Sequence, residues 1–234
     1  MGLSSFQPGR KILDWPADVL RLADHLQIGE FRVIGSSGGG PYSLACAYAL
    51  PRDRLKGAGV LAGVGPWHQG TKDTLLIGRV VWNIWAWAPW TFRAIYDRTA
   101  VPAARDPDPE RLNKIWGQAM ERMREKDRRV FEDETVRNLT VEAFRAAFIR
   151  GAEGGAHEVR LVTRGWGFEC EDVGFEGVKL WYGDEDTNTP VTVGRYMAER
   201  LKGSKLKVYP GETHMTLTAA ERAEEILKAM MDIE

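Results

Sequence analysis

Between Asp14 and Gly29 the apolar residues Val19, Leu22, Ala23 and Leu26 recur at i, i+3, i+4 and i+7, the spacing of one face of an α-helix. Asp14 can cap that helix, Pro16 suits its first turn, and Gly29 follows its end. The pattern then changes. Phe31 to Gly35 (FRVIG) is a short, mostly apolar run entering a glycine-rich turn, which predicts a buried strand with a paired neighbour on each side. Pro41 to Leu50 predicts a helix of small residues (Ala45, Ala47, Ala49) that can pack closely, stopped by Pro51. Gly57 to Ala62 (GAGVLA) predicts a second buried strand.

From Trp67 to about Arg164 no strand pattern occurs. Helical segments are predicted near 75–97, 109–124 and 140–153, the second capped by Asp108 and opened by Pro109, the third capped by Thr140. Strands then return: Val178, Leu180 and Tyr182 alternate in VKLWYG, and Leu206 and Val208 alternate in KLKVY. A helix over 190–201 lies between them, and Thr218 with Glu221 reads as a capping box opening a last helix near 219–231. Strands alternating with helices predict an α/β fold with a mostly parallel sheet and helices on both faces. The corresponding boundaries are 1–66 and 165–234 for the core and 67–164 for an inserted helical cap, or lid.

A chain of 234 residues, 44% hydrophobic and 28% charged, can bury one substantial core. Thirty-two Lys and Arg against 33 Asp and Glu give a net charge of −1, which argues against nucleic acid as a partner. Two cysteines, Cys46 and Cys170, make no disulfide framework, and the N-terminus shows no signal peptide, so a cytoplasmic protein with reduced thiols is expected. The most apolar stretch, Leu75 to Trp90, is short for a membrane span, contains Arg79 and ends at Pro89. It predicts instead a helix whose apolar side covers a pocket. Trp67, His68, Trp82 and Trp85 are the candidates for lining that pocket, although any one tryptophan serves equally to pack the cap. An apolar small molecule fits such a lining. No dinucleotide fingerprint and no metal-ligand spacing occurs, so neither cofactor nor metal is expected.

Gly35-Ser36-Ser37-Gly38-Gly39 fits G-x-S-x-G between a predicted strand and a small-residue helix. A nucleophile on such a turn sits in strained backbone, which calls for glycine neighbours. The register selects Ser37, and the Gly38 N–H at the helix start would face charge developing on an attacked carbonyl. A serine needs a base, and of His25, His68, His157 and His214 only His214 directly follows the last strand. His25 and His157 read as surface or packing residues. The base in turn needs an orienting acid. Asp184, Glu185 and Asp186 share one strand end, and their spacing alone does not choose among them.

The three pieces G-S-S-G-G after a strand, G-x-x-D-x-x-x-P at Gly183–Pro190 and Y-P-G-E-T-H at Tyr209–His214 together resemble the α/β-hydrolase superfamily, in the same order along the chain. The resemblance covers the chain from Asp14 onward. It implies an α/β-hydrolase fold and assigns the acid to Asp186, with Asp184 the fallback. A serine in the elbow also argues against the epoxide hydrolase and haloalkane dehalogenase branches. The same resemblance implies strands before Phe31, and a second oxyanion donor, that have no counterpart here, so an N-terminally truncated fold is expected. Phe31–Gly35 would then form an exposed sheet edge open to self-association. The function implied is a serine hydrolase acting on an ester, lactone or thioester through an acyl-enzyme. The alternatives are acyl transfer, carbon–carbon cleavage or cyclisation on the same triad, or a catalytically weak member that binds ligand. 

Overall fold

The computed structural model describes residues 2, 4–67 and 73–232, the side chains of 220 and 221 left aside. In chain order the elements are α1 (Trp15–His25), β1 (Phe31–Ser36), α2 (Gly40–Ala49), β2 (Leu55–Leu61), α3 (Leu76–Trp87), α4 (Pro89–Tyr96), α5 (Ala100–Arg105) and α6 (Pro109–Glu121). They continue with α7 (Glu125–Arg129), α8 (Glu134–Phe148), α9 (Glu153–Val162), β3 (Lys179–Gly183), α10 (Val191–Arg200), β4 (Lys205–Tyr209) and α11 (Ala220–Met231). The chain divides into two units, one of Arg10–Arg79 with Leu161–Glu234 and one of Met1–Gly9 with Val80–Arg160.

The first is a sheet unit. Its four strands lie in the order β1-β2-β3-β4, and every pair is parallel. Parallel neighbours need crossovers, which α2 supplies between β1 and β2 and α10 between β3 and β4. Period-two alternation divides the side chains between two cores. Leu180 and Tyr182 join Leu44, Ala45, Val193 and Met197, while Trp181 joins Leu217, Ile226 and Met230 on the opposite face. The sheet is therefore covered on both faces, as the alternation predicts. Ser43 reinforces the α2 side by donating to Gly59 O at 2.8 Å.

Two local expectations are corrected. β1 is half-buried rather than buried, because among the described residues it pairs only with β2 and stands at the sheet edge. α1 stops at His25 with Gly29 after it, as expected, but the left-handed residue that follows the helix is Gln27, at φ 55°. Its terminal carbonyls are taken by Ile28 N (on Ala23 O) and Gln27 N (on Asp24 O), so two backbone bonds fix the stop and no glycine is needed. Thr218 does not cap α11: its hydroxyl donates to Met215 O, and Ala219 holds the cap position.

The second unit is helical. Phe92, Val101, Ala104, Phe148 and Val159 form its main cluster, with Tyr96 stacked on Phe148 at 4.9 Å and Trp85 edge-on to Phe92 at 5.0 Å. Asp108 caps α6 as expected, accepting from Glu110 N. Thr140 does not start a helix. It lies inside α8, whose cap is Asp133, and its hydroxyl folds back onto Val136 O. The expected single helix near 75–97 is broken at Ala88, because Pro89 cannot donate to the preceding turn and instead opens α4. Several apolar side chains of this stretch face solvent, Trp87 at 84% and Trp90 at 69% exposure among them. No helix of the described residues is long and apolar enough to cross a membrane.

Candidate active site

β1 delivers the chain to a tight 3-10 turn, Ser37–Gly39, that runs straight into α2. Ser37 sits at φ 51°, a left-handed conformation that costs a side-chain-bearing residue about 1–3 kcal/mol. Its carbonyl holds that conformation in place by accepting from Val64 N at 2.9 Å and from Gly40 N. Gly35 is required for a different reason: a Cβ there would lie 2.1 Å from Gly39 O and 2.9 Å from the Ser43 Cβ. At Gly39 the same test finds open space, so the close approach demands glycine on the strand side alone. Gly38 occupies the opening of this turn, where a helix leaves its first N–H groups without intrahelical acceptors.

The second element of the site follows β4. Thr213 is fully buried and braces the turn around His214 through reciprocal bonds, its N–H donating to Thr216 Oγ1 at 2.8 Å while Thr216 N donates to Thr213 Oγ1 at 3.3 Å. His214 is itself buried. Its Nε2 lies 3.0 Å from Ser37 Oγ and its Nδ1 lies 2.7 Å from Asp186 Oδ2. Two loops must approach closely to allow this. Gly183 permits it, since a Cβ there would fall 2.2 Å from Glu212 O.

The loop after β3 brings Asp186, not Asp184, to His214. Asp184 accepts from Gly211 N at 2.7 Å and thereby ties the two loops together. Asp186 Oδ1 accepts from Asn188 N at 2.8 Å and Thr189 N at 2.9 Å, leaving Oδ2 for His214 and the Thr189 hydroxyl. Burial acts to raise the pKa of this carboxyl. The hydrogen bond and charge of His214, with the bonds from Thr189, outweigh it and hold the group below its ordinary value. The buried thiols of Cys46 and Cys170 are pushed up to about 12, which keeps them protonated and unreactive at neutral pH.

Ser37, His214 and Asp186 thus form one hydrogen-bonded series within the sheet unit. His68 lies outside the described residues, and Trp67 is half-buried on the segment after β2. Trp82 and Trp85 belong to the helical unit, edge to face with each other at 5.8 Å. His25 is exposed, and His157 packs edge-on against Phe6. Among the described residues no cluster of three or more His, Cys, Asp or Glu side chains is arranged to hold a metal ion. Two residues at the site were not legible beforehand: Thr189, whose only mark in the sequence is its place before Pro190, and Ala62, which takes φ 45° at the end of β2.

This fold recurs in solved structures. The chain superposes on an esterase, RhEst1, from Rhodococcus sp. ECU1013 with a TM-score of 0.61 at 14% identity, over 100% of this chain and 78% of that one. A thermophilic esterase from Thermogutta terrifontis gives 0.59 at 20% identity, over 99% of this chain and 75% of that one. An alpha/beta hydrolase fold protein from Nakamurella multipartita gives 0.54 at 18%, over 94% and 75%. The chain has the α/β-hydrolase fold. It spans about three quarters of the length of these α/β-hydrolase-fold neighbours. No family model and no curated protein matches the sequence.

Proposed function

We propose that this chain is a serine hydrolase that cleaves an ester, lactone or thioester of an apolar small molecule through an acyl-enzyme. The observation that carries the reading is the hydrogen-bonded series from Ser37 Oγ through both ring nitrogens of His214 to Asp186. A hydroxyl is a weak nucleophile alone, and an imidazole at 3.0 Å is placed to take its proton as it attacks. In the proposed sequence Ser37 Oγ adds to the substrate carbonyl while His214 Nε2 accepts the proton. The ionised Asp186 stabilises the imidazolium through Nδ1–H. The tetrahedral oxyanion is met by the Gly38 N–H at the positive end of α2. Collapse breaks the bond to the leaving group, which takes the proton from His214. Water then repeats the cycle on the acyl-Ser37 ester, releasing the acid. The esterase names of two structural neighbours agree with this choice of chemistry. In the same reading the helices inserted between β2 and β3 act as the cap, with Trp67, His68, Trp82 and Trp85 contributing an apolar lining for substrate.

Treatment with a fluorophosphonate, followed by peptide mass mapping, tests the proposal without knowledge of the substrate. Labelling should fall on Ser37, vanish in Ser37→Ala and persist in Ser36→Ala. Equal labelling of the Ser37→Ala protein would remove the nucleophile and the reading with it.

A further inference from the structure

Asp186 and His214 share their environment with a third polar side chain. Thr189 Oγ1 lies 2.8 Å from Asp186 Oδ2, 3.1 Å from His214 Nδ1 and 2.8 Å from Ala62 O, and the residue is 5% exposed. We propose that Thr189 is a positioning residue of the site: its hydroxyl fixes the Asp186 carboxylate against His214 and anchors the acid loop to the end of β2. This inference rests on the serine hydrolase reading above.

A carboxylate on a loop can rotate about its terminal torsion, and only one orientation puts an oxygen in line with Nδ1–H. Oδ1 is held by two amides of the same loop, Asn188 N and Thr189 N. Those bonds move with the loop and fix nothing relative to the rest of the sheet unit. The Thr189 hydroxyl reaches outside the loop, to the Ala62 carbonyl, where β2 ends. Ala62 is itself tied down, with its N–H on Trp181 O at 2.8 Å and its backbone at φ 45°. A left-handed alanine costs free energy that a relaxed strand end would avoid, and this conformation is the one in which its carbonyl meets Thr189. Tyr182, in the same strand as the acid loop's start, donates to the following carbonyl, Gly63 O, at 2.7 Å. The acid loop is therefore registered on β2 through consecutive carbonyls, and Thr189 is the link nearest the carboxylate.

The hydroxyl has one proton and two oxygen acceptors in reach, the carboxylate and the Ala62 carbonyl. A buried acceptor left without a donor is costly, and a bond to a charged group is the stronger of the two. Alanine at 189 removes that one donor from the pair of acceptors, whereas serine restores the hydroxyl and omits only the methyl group.

The experiment measures the fluorophosphonate reaction of wild type, Thr189→Ala, Thr189→Ser and Thr189→Val, separating the limiting labelling rate from the probe concentration at half-saturation. Thermal melts are recorded on the same preparations. Thr189→Ala and Thr189→Val should lower the limiting rate roughly ten- to hundredfold, the equivalent of one hydrogen bond to a charged group. The half-saturating concentration should stay within about twofold, and Thr189→Ser should recover most of the rate. A rate in Thr189→Ala equal to that of wild type overturns the inference, as does a Thr189→Ser protein no faster than Thr189→Ala. Should the valine protein fail to fold, the alanine and serine pair still decides, since they differ in the hydroxyl alone. Absence of labelling in wild type would instead count against the serine hydrolase reading, so the two failures are told apart.

Discussion

The sheet unit and the helical unit bury comparable side chains by different means. In the sheet unit the close approaches are between backbones: Gly35 against Gly39, Gly183 against Glu212, and parallel ladders from β1 to β4. In the helical unit they are between side chains, chiefly aromatic rings such as Tyr96, Phe148, Trp85 and Phe92. Backbone contacts tolerate no added atom, whereas ring clusters shift and repack at moderate cost. The difference explains where a precise constellation can be built. Ser37, Asp186 and His214 all stand on loops leaving strand ends of the sheet unit, each pinned by backbone hydrogen bonds on at least one side.

The largest effect expected from breaking this arrangement lies at the acid. Asp186→Asn should lower kcat for a short-chain aryl ester by roughly 10⁴ with KM nearly unchanged, because the carboxylate acts on imidazole tautomer and charge. Asp184→Asn should do far less, since Asp184 braces Gly211 rather than His214. Steady-state kinetics of both variants check this, and the reverse ranking would show that the bracing carboxylate is the one that matters.

Next in size is the backbone contact at the elbow. Gly35→Ala places a methyl 2.1 Å from Gly39 O, a backbone atom that cannot swing aside. The expected cost is about 4 kcal/mol or more, in the class of overpacked cores. Denaturant titration should show it, with labelling lost in parallel; a stable Gly35→Ala protein would mean that β1 and α2 can separate.

Much of this was legible in the sequence, and the reason is chemical. The G-S-S-G-G turn and His214 carry geometry in their residue types, a glycine at Gly35 where backbones touch and a polar group where the last strand ends, whereas Asp186 is singled out from Asp184 and Glu185 by the family resemblance alone. The alternation in VKLWYG and KLKVY located β3 and β4 to within a residue. What escaped was set by tertiary partners. Thr140 looks like a cap until Asp133 supplies a better one seven residues earlier, with two bonds to the first-turn amides Thr135 N and Val136 N. FRVIG is apolar enough for an interior strand, and its edge position, which the family resemblance implies, is not readable from its own residues. Thr189 has no signature at all, because its role depends on the Ala62 carbonyl more than a hundred residues away in sequence.

A third, smaller effect follows from the lowered pKa of Asp186. Its folded value lies below its unfolded value of about 3.9. The ionised carboxylate therefore contributes stability that is fully present above the unfolded value and is lost as pH falls through the folded one. Stability of wild type relative to Asp186→Asn should shrink as pH drops from about 5 toward the lowered midpoint. Glu225, whose pKa is lowered to about 2 first by the hydrogen bond from Lys207, titrates alike in both proteins and cancels from the difference. Parallel urea titrations at pH 7 and pH 3 give the comparison. An unchanged gap would mean that Asp186 is not held ionised by its partners.

The smallest effect inverts the sign of the substitution made at the elbow. Gly117 lies inside α6, and a Cβ built there meets nothing within 4 Å. Its backbone is helical, without the positive φ that would strain a side chain. Glycine in that setting only enlarges the unfolded ensemble and weakens the helix. Gly117→Ala should therefore stabilise the protein by about 0.5–1 kcal/mol, read as a higher denaturation midpoint at unchanged slope. Labelling of Ser37 should be unaffected, because α6 packs through Leu112 on Ala103 and Val141, far in the chain from any loop of the site. The pair of glycine substitutions thus probes one contrast from both ends. Where backbones touch, an added methyl is excluded by atoms that cannot move; where a helix faces open space, the same methyl removes disorder from the unfolded chain. A destabilised Gly117→Ala protein would show that α6 is held against a neighbour closely enough to need its glycine, and the contrast between the two units would lose its basis.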